Sequence, residues 1–280
     1  MREIAVSQIR DTVSDLCLKA NFELRKDVLG AIKRAYKKET NARAKGILKT
    51  IVENARVAKD KKIAICQDTG MVSVFLDIGI DVRITGGNLE DAVNDGVRKA
   101  YDKGYLRKSV VDDPLLRNNT RTNTPCVIFT DIVDGDKMKV TISPKGFGSE
   151  NKSKIRMFNP TSSVEDIKKF VIDVVKNAGP DACPPLVLGI GIGGTFEKAA
   201  YLAKKALTNP IDKSNARRHI SKLEKELEIE INALGIGPMG LGGKTTVFGV
   251  NILEYPTHIA GLPVAVNVSC HATRGASKIL

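Results

Sequence analysis

The chain has 280 residues, of which 42% are hydrophobic and 27% charged, and its formal net charge is +12. This composition is typical of a globular protein and excludes a disordered, fibrous or marginal miniature fold. No apolar run reaches the ~18 residues that a transmembrane helix needs, and the N-terminus is charged throughout. We therefore expect a soluble, cytoplasmic protein that does not bind a membrane.

The excess of 44 Lys and Arg over 32 Asp and Glu could serve a nucleic acid or an acidic small molecule. The basic residues are spread along the chain and alternate with acidic ones, as in SKLEKELEIE, and no basic block carries regularly placed aromatics. This pattern favours a solvated surface and no nucleic-acid partner. A basic RNA-binding or assembly protein remains the alternative from another functional class.

Residues 2–59 predict helices, because apolar side chains recur there every three or four positions. From Ile63 the pattern changes to short apolar runs, and MVSVFLDIGIDVRI is rich in β-branched residues that suit strands. We expect a helical N-terminal segment over residues 1–60, followed by a mixed α/β region over residues 61–280.

Further along, Asn88 predicts the start of a helix, since asparagine is a favoured N-cap. CVIFTDIVDGDKMKVTIS predicts a β-hairpin that turns at Asp134 and Gly135. Other helices are predicted over residues 163–178 and about 214–234, and strands around TTVFGVNI and PVAVNVSC. The elements alternate without a strict βαβ rhythm, which predicts the α+β (mixed α/β) class instead of a doubly wound sheet.

Two glycine-rich motifs suggest phosphate binding, and both lack the context that it requires. Gly189, Gly191 and Gly194 match G-x-G-x-x-G, but the following helix leads to another helix and not to a second parallel strand. This disfavours a nicotinamide-dependent oxidoreductase and favours a structural or substrate-facing turn. GIGPMGLGGKTT resembles a P-loop but misses its spacing by one residue, so these glycines are expected to allow a close backbone approach.

The five cysteines form an odd set without a C-x-x-C pair, which argues against a disulfide framework or a locally spaced metal site. Cys66, Cys183 and Cys270 each lie at the end of a predicted element, where ligands and catalytic groups concentrate. Cys17 and Cys126 occupy core-like positions. Their positions alone do not decide whether Cys66, Cys183 and Cys270 are ordinary buried thiols or functional ones.

For two further polar residues, Asp68 and His258, the sequence allows either a structural or a functional role. Asp68 lies in the turn CQDTG beside Gln67, where it could simply form an Asx turn. His258 stands alone in YPTHIAGLP between two predicted strands, where a structural histidine is the simpler interpretation.

Taken together, CQDTG, DPLLRNNTRTNTP, KGFGSENK, CPPLVLGIGIGGT and the C-terminal segment from GPMGLGGKTT to VSCHATR resemble the alpha-chain part of class I iron–sulfur hydro-lyases. That family holds oxygen-sensitive fumarate hydratases and tartrate dehydratases. The resemblance implies that Cys66, Cys183 and Cys270 hold three irons of a [4Fe–4S] cluster. The fourth iron would act as a Lewis acid on the hydroxyl and a carboxylate of the substrate.

The same resemblance implies a pocket for a small dicarboxylate. Asp68 and His258 match catalytic positions: Asp68 would tune or relay to the proton-abstracting group, and His258 would hydrogen-bond a substrate carboxylate. Gln67 matches a substrate-binding position, and Arg107 is a candidate carboxylate clamp.

Gly148 and Ser149 of KGFGSENK are expected to offer backbone donors to the same substrate. Single-chain members carry a further C-terminal domain that completes the site, and we expect this chain to lack it, since the resemblance covers only the alpha-chain part. The resemblance therefore implies a separate beta subunit, in a heterotetramer of two alpha and two beta chains. The expected activity is fumarate hydratase, which interconverts fumarate and malate, and the alternative is L-tartrate dehydratase, which yields oxaloacetate.

Overall fold

The structure, a computed structural model, describes all residues from 1 to 280. Along the chain the elements are β1 (Arg2–Ala5), α1 (Val6–Phe22), α2 (Lys26–Lys38), α3 (Ala42–Lys61), β2 (Met71–Gly79), β3 (Val82–Thr85), α4 (Leu89–Lys103), β4 (Val127–Val133), β5 (Met138–Lys145), α5 (Phe147–Glu150), β6 (Lys154–Phe158), α6 (Val164–Ala178), β7 (Leu186–Gly193), α7 (Phe196–Ala206), α8 (Arg218–Asn232), β8 (Val247–Tyr255), β9 (Leu262–Ser269) and β10 (Ala276–Ile279). Short 3-10 helices lie at Gly179–Ala182 and Pro238–Gly240. The predicted α+β class is confirmed.

The residues group into two compact units. The first unit comprises residues 1–25, 54–147 and 274–280, and the second comprises residues 26–53 and 148–273. The predicted boundary near residue 60 coincides with none of these breaks. None of the helices combines the length and the apolar character that a membrane span requires.

In the first unit, a four-stranded sheet has the order β10-β5-β2-β4, and β1 pairs in parallel with β3 in a separate ribbon. Alternate residues of β2, such as Val74 and Leu76, are fully buried in a core that includes Val13 of α1 and Val97 of α4. The first residues, predicted as helix, instead form β1, because they find a strand partner 80 residues away. Asn88 is confirmed as the N-cap of α4, since its side chain accepts from the Asp91 N–H at 3.1 Å.

The hairpin predicted around Asp134 and Gly135 is wrong. β4 and β5 do not pair with each other, because β2 lies between them, parallel to β4 and antiparallel to β5. The connection runs across the end of β2, where the Gly79 N–H donates to the Lys137 carbonyl at 2.9 Å. A Cβ at Gly79 would lie 2.2 Å from the Gly135 oxygen, so only glycine fits this crossing.

In the second unit, a sheet of order β6-β9-β7-β8 carries α6 and α8 on one face and α7 on the other. Leu188 and Ile190 of β7 belong to the core with α6 and α8. Between them, Gly189 and Gly191 face α7, and a Cβ on either would lie about 2 Å from a carbonyl oxygen of that helix. The glycine motif therefore lets α7 pack directly on β7, which accounts for its spacing.

Candidate active site

The turn Cys66–Gly70 precedes β2 in the first unit and holds three of the predicted site residues. Cys66 and Asp68 are half-buried, whereas Gln67 is exposed. The Asp68 carboxylate accepts the Gly70 N–H at 3.0 Å on Oδ1 and the Phe147 N–H at 2.9 Å on Oδ2. Asp68 therefore does form an Asx turn. A carboxylate has about four lone-pair sites, so two remain for a ligand.

Hydrogen bonds from two buried side chains stabilise the main chain of this turn. The Tyr101 hydroxyl donates to the Thr69 carbonyl at 2.8 Å and to the Gly70 carbonyl at 3.1 Å, and the Asn123 amide donates to the same Gly70 oxygen at 3.1 Å. Burial raises the pKa of Tyr101, so its hydroxyl stays protonated. The turn is thus fixed before any ligand binds.

Arg107 lies beside the same turn, because the Thr69 hydroxyl donates to the Arg107 carbonyl at 2.6 Å. The Arg107 side chain is exposed. The first unit thereby brings together Gln67, Asp68 and Arg107, which the family resemblance assigns to the substrate pocket.

In the second unit, Cys183 and Cys270 lie at one end of the sheet. Cys183 comes three residues before β7 begins and Cys270 follows the end of the antiparallel β9. The main-chain N–H of His271 donates to the Cys183 carbonyl at 3.2 Å, and its Nδ1 lies 3.0 Å from the same oxygen. Burial lowers the pKa of His271. Because a carbonyl oxygen only accepts, Nδ1 carries the proton.

A glycine-rich loop, residues 237–244, packs beside Cys183. The Met239 N–H donates to the Pro184 carbonyl at 2.8 Å, and the loop is anchored by Glu39, which accepts the Lys244 N–H at 2.7 Å. Burial opposes ionisation of Glu39, but three main-chain N–H donors together hold the pKa of its carboxyl below the usual value. The P-loop-like sequence thus serves as a support for the Cys183 segment.

Gly148 and Ser149 lie close to the 3-10 helix that leads into Cys183. A Cβ on Gly148 would lie 3.7 Å from the Asp181 carbonyl, with no nearer atom, and Lys152 pairs with the Asp181 carboxylate at 2.8 Å. Gly148 is exposed and Ser149 is buried. The predicted backbone donors are thereby near one of the three candidate cluster cysteines.

The structure does not bring His258 to the end of the sheet that carries Cys183 and Cys270. His258 lies in the loop between β8 and β9, before β9 begins, whereas Cys270 follows its end. Eight residues of β9 span roughly 23 Å at ~3.3 Å per residue. The ring is exposed, and its Nδ1 accepts the Ala260 N–H at 3.2 Å.

The five thiols divide into two chemical classes, and none forms a disulfide. Cys17 and Cys126 are buried, and burial raises the pKa of both, that of Cys126 to about 12. The thiolate is the form that ligates iron, so these two are unsuited to the task. Cys66, Cys183 and Cys270 are half-buried and fit it as a donor set. No three His, Cys, Asp or Glu side chains form a site for a single metal ion.

The sequence did not reveal the polar side chains that stabilise the main chain of the site. Tyr101, Asn123 and Arg274 all donate to main-chain carbonyls of the turn that contains Asp68. Arg274 is the last residue of the motif VSCHATR, and its place in that motif was the only feature of the sequence that pointed to a role in the site.

Comparison with known proteins identifies the family. Residues 10–278 match the family model described as fumarate hydratase (Fumerase). The chain belongs to this family. Its hydro-lyase class is therefore confirmed, which leaves no support for the RNA-binding and nicotinamide-dependent alternatives.

The relatives in this family carry a different substrate in their names. A Methanocaldococcus jannaschii protein, provisionally named L(+)-tartrate dehydratase subunit alpha, is 41% identical over 278 residues, or 97% of each chain. L(+)-tartrate dehydratase subunit alpha of Escherichia coli K12, and that of Shigella boydii serotype 4, are 30% identical over 276 residues, which cover 98% of this chain and 91% of theirs. These names favour the tartrate alternative, and the fumarate hydratase prediction is not confirmed.

Proposed function

We propose that this chain is the alpha subunit of an L(+)-tartrate dehydratase, which removes water from tartrate to give oxaloacetate. The observation that carries the proposal is the similarity over nearly the whole length to chains named for that activity. Fumarate hydratase is the second candidate, because the family model bears that name. Both substrates are dianions, and the net charge of +12 favours the approach of an anionic ligand.

We propose Cys66, Cys183 and Cys270 as the ligands of a [4Fe–4S] cluster. When bound, the cluster supplies an iron without a protein ligand, which acts as a Lewis acid. The proposal is supported by the partial exposure of these three thiols and by the burial that keeps Cys17 and Cys126 protonated. The anchored loop beside Pro184 and the bonds from His271 would keep the Cys183 segment in place.

The side chains around the first-unit turn are proposed to bind the substrate and move its proton. The remaining lone pairs of Asp68 would accept or relay the proton removed from the substrate carbon. The exposed Gln67 amide would orient the substrate by hydrogen bonds, and the Arg107 guanidinium would pair with a carboxylate. Gly148 and Ser149 would add main-chain donors.

His258 requires a different arrangement. Because it lies at the far end of β9 from Cys270, it cannot contact a ligand held at Cys183 and Cys270 of its own chain. We propose that His258 acts on the substrate of a second alpha chain. This arrangement agrees with a heterotetramer of two alpha and two beta chains.

A beta subunit is proposed to complete each site, since the relatives of this chain are named as alpha subunits. The remaining groups that bind the dicarboxylate would come from that chain. The alpha chain alone is therefore expected to have little or no activity.

The test is anaerobic co-expression with a candidate beta chain, followed by separate assays of tartrate dehydration and fumarate hydration. We expect turnover only in the complex, with the larger kcat/KM for L(+)-tartrate. A larger value for fumarate would establish the second candidate. A cluster-loaded complex that acts on neither substrate, or an alpha chain that is fully active alone, would contradict the proposal.

A further inference from the structure

Arg274 is a buried cation in the first unit with an unusual set of partners. The residue is 5% exposed, and its Nη2 donates to the Asp68 carbonyl at 2.8 Å. Its Nη1 donates to the Asn21 side-chain oxygen at 2.9 Å. Its Nε is also buried and has no hydrogen-bond partner.

No carboxylate forms a direct ion pair with this guanidinium, whose hydrogen bonds go to a main-chain carbonyl and a side-chain amide. The Asp68 carboxylate points to the main-chain N–H groups of Gly70 and Phe147 instead. Burying an unpaired guanidinium costs free energy, and replacing buried charges by apolar groups of similar volume is often neutral or stabilising. Stability alone therefore does not explain an arginine at this position.

The hydrogen bonds of Arg274 give a better explanation of the arginine, because they connect the two ends of the short segment Ile65–Asp68. Asn21 is fully buried, and its side-chain amide donates to the Cys17 carbonyl at 3.0 Å. The main-chain carbonyl of Asn21 accepts the Ile65 N–H at 2.9 Å. The pair of Asn21 and Arg274 thus fixes Ile65 at one end and Asp68 at the other. Cys66 and Gln67 lie between these two fixed points.

We infer that Arg274 is a positioning residue, which holds the Ile65–Asp68 segment so that Asp68 meets the substrate in the right orientation. The inference rests on the role of Asp68 in the proposed function. It adds that a side chain without substrate contact is required for that role. A misplacement of about 1 Å at a reacting group can cost ~100-fold in rate, so a small loosening of this segment is enough.

The first test measures the segment itself, without cluster, beta subunit or substrate. Hydrogen exchange of the full-length alpha chain is followed by mass spectrometry in the wild type and in Arg274→Met, which keeps the side-chain volume. We expect amides of residues 65–70 to exchange ~10-fold faster while those of α1 and β2 do not change. Unchanged exchange over residues 65–70 would overturn the inference.

The second test measures turnover of the cluster-loaded complex. Arg274→Met is expected to lower kcat ~100-fold with little change in KM or iron content. Arg274→Lys, which keeps the charge and a single donor nitrogen, should recover part of both kcat and protection. Lys168→Met is the matched control, because Lys168 is also a buried cation, in the second unit, paired with Glu165, Glu226 and Glu230. It should lose stability without changing kcat.

The two tests separate failure of the inference from failure of the proposed function. Faster exchange with normal kcat would show that Arg274 is only structural. If wild-type complex acts on neither dicarboxylate, the proposed function fails, and with it the catalytic part of the inference, whatever the exchange data show.

Discussion

The hydroxyl of Tyr101 donates to the carbonyl of Thr69 at 2.8 Å, so a fully buried phenol supports the turn that contains Asp68. Tyr101→Phe leaves the Thr69 carbonyl without that donor. We expect a loss of ~1–2 kcal/mol in the free energy of unfolding, measured by urea denaturation of the iron-free chain. Tyr105→Phe, at a side chain that is 96% exposed, should change nothing. Equal stabilities of the two variants would show that the Tyr101 hydroxyl contributes no support.

Single serine replacements of Cys66, Cys183 or Cys270 are expected to abolish activity and lower the iron content, because each removes a proposed cluster ligand. Cys126→Ala removes a buried, protonated thiol and should cost only ~1 kcal/mol of stability at full iron content. Iron and acid-labile sulfide analysis of anaerobic protein gives the readout. Full iron content in any of the three serine variants would refute that ligand.

Asp68→Asn is expected to lower kcat at least ~100-fold, since it removes a general acid–base group. The structure adds a second effect, because an amide nitrogen would face the main-chain N–H of Gly70 or Phe147. We therefore also expect a loss of ~1–3 kcal/mol in stability.

The control for Asp68→Asn is Asp166→Asn, which changes a carboxylate that accepts the Ser163 N–H in the capping box of α6. It should lose stability but keep kcat per loaded enzyme. Asp68→Asn with normal turnover per loaded enzyme would leave Asp68 only a turn residue.

His258→Asn is expected to lower kcat at least ~100-fold with an unchanged melting temperature, because the ring is exposed and accepts one bond, from Ala260. The second-copy arrangement can be checked by complementation. Alpha chains carrying His258→Asn and Cys183→Ser are each expected to be inactive, but a mixed complex should regain part of the activity, since one intact site is restored. No recovery in verified mixed complexes would contradict a contribution from the second chain.

Glu39 predicts a pH-dependent contribution to stability. Its pKa is lowered in the folded chain, so the stabilisation is present above the ordinary value of 4.5 and is lost as pH falls through the folded value. The stability difference between wild type and Glu39→Gln should therefore shrink below about pH 4.5. Glu3→Gln, at an exposed surface pair with Arg83, is the control and should show no such trend. A difference that stays constant with pH would mean that the charge of Glu39 is not involved.

The local pattern of the sequence was sufficient for most elements. Helix periodicity and the cap at Asn88 depend on residues within one or two turns, so both could be predicted without the fold. Strand pairing could not. The short link between β4 and β5 suggested a hairpin, but β2, far away in the chain, lies between them and pairs with both.

For the candidate site, the motifs by themselves determined the family and the residues with ligand chemistry, because a cysteine, a carboxylate or an arginine carries its reactivity in its own side chain. Only the tertiary structure decided which neighbours hold them. Arg274 reaches the Asp68 carbonyl across 206 residues, and His258 is separated from Cys270 by the length of β9. Such relationships arise from packing between distant segments, which no local spacing encodes.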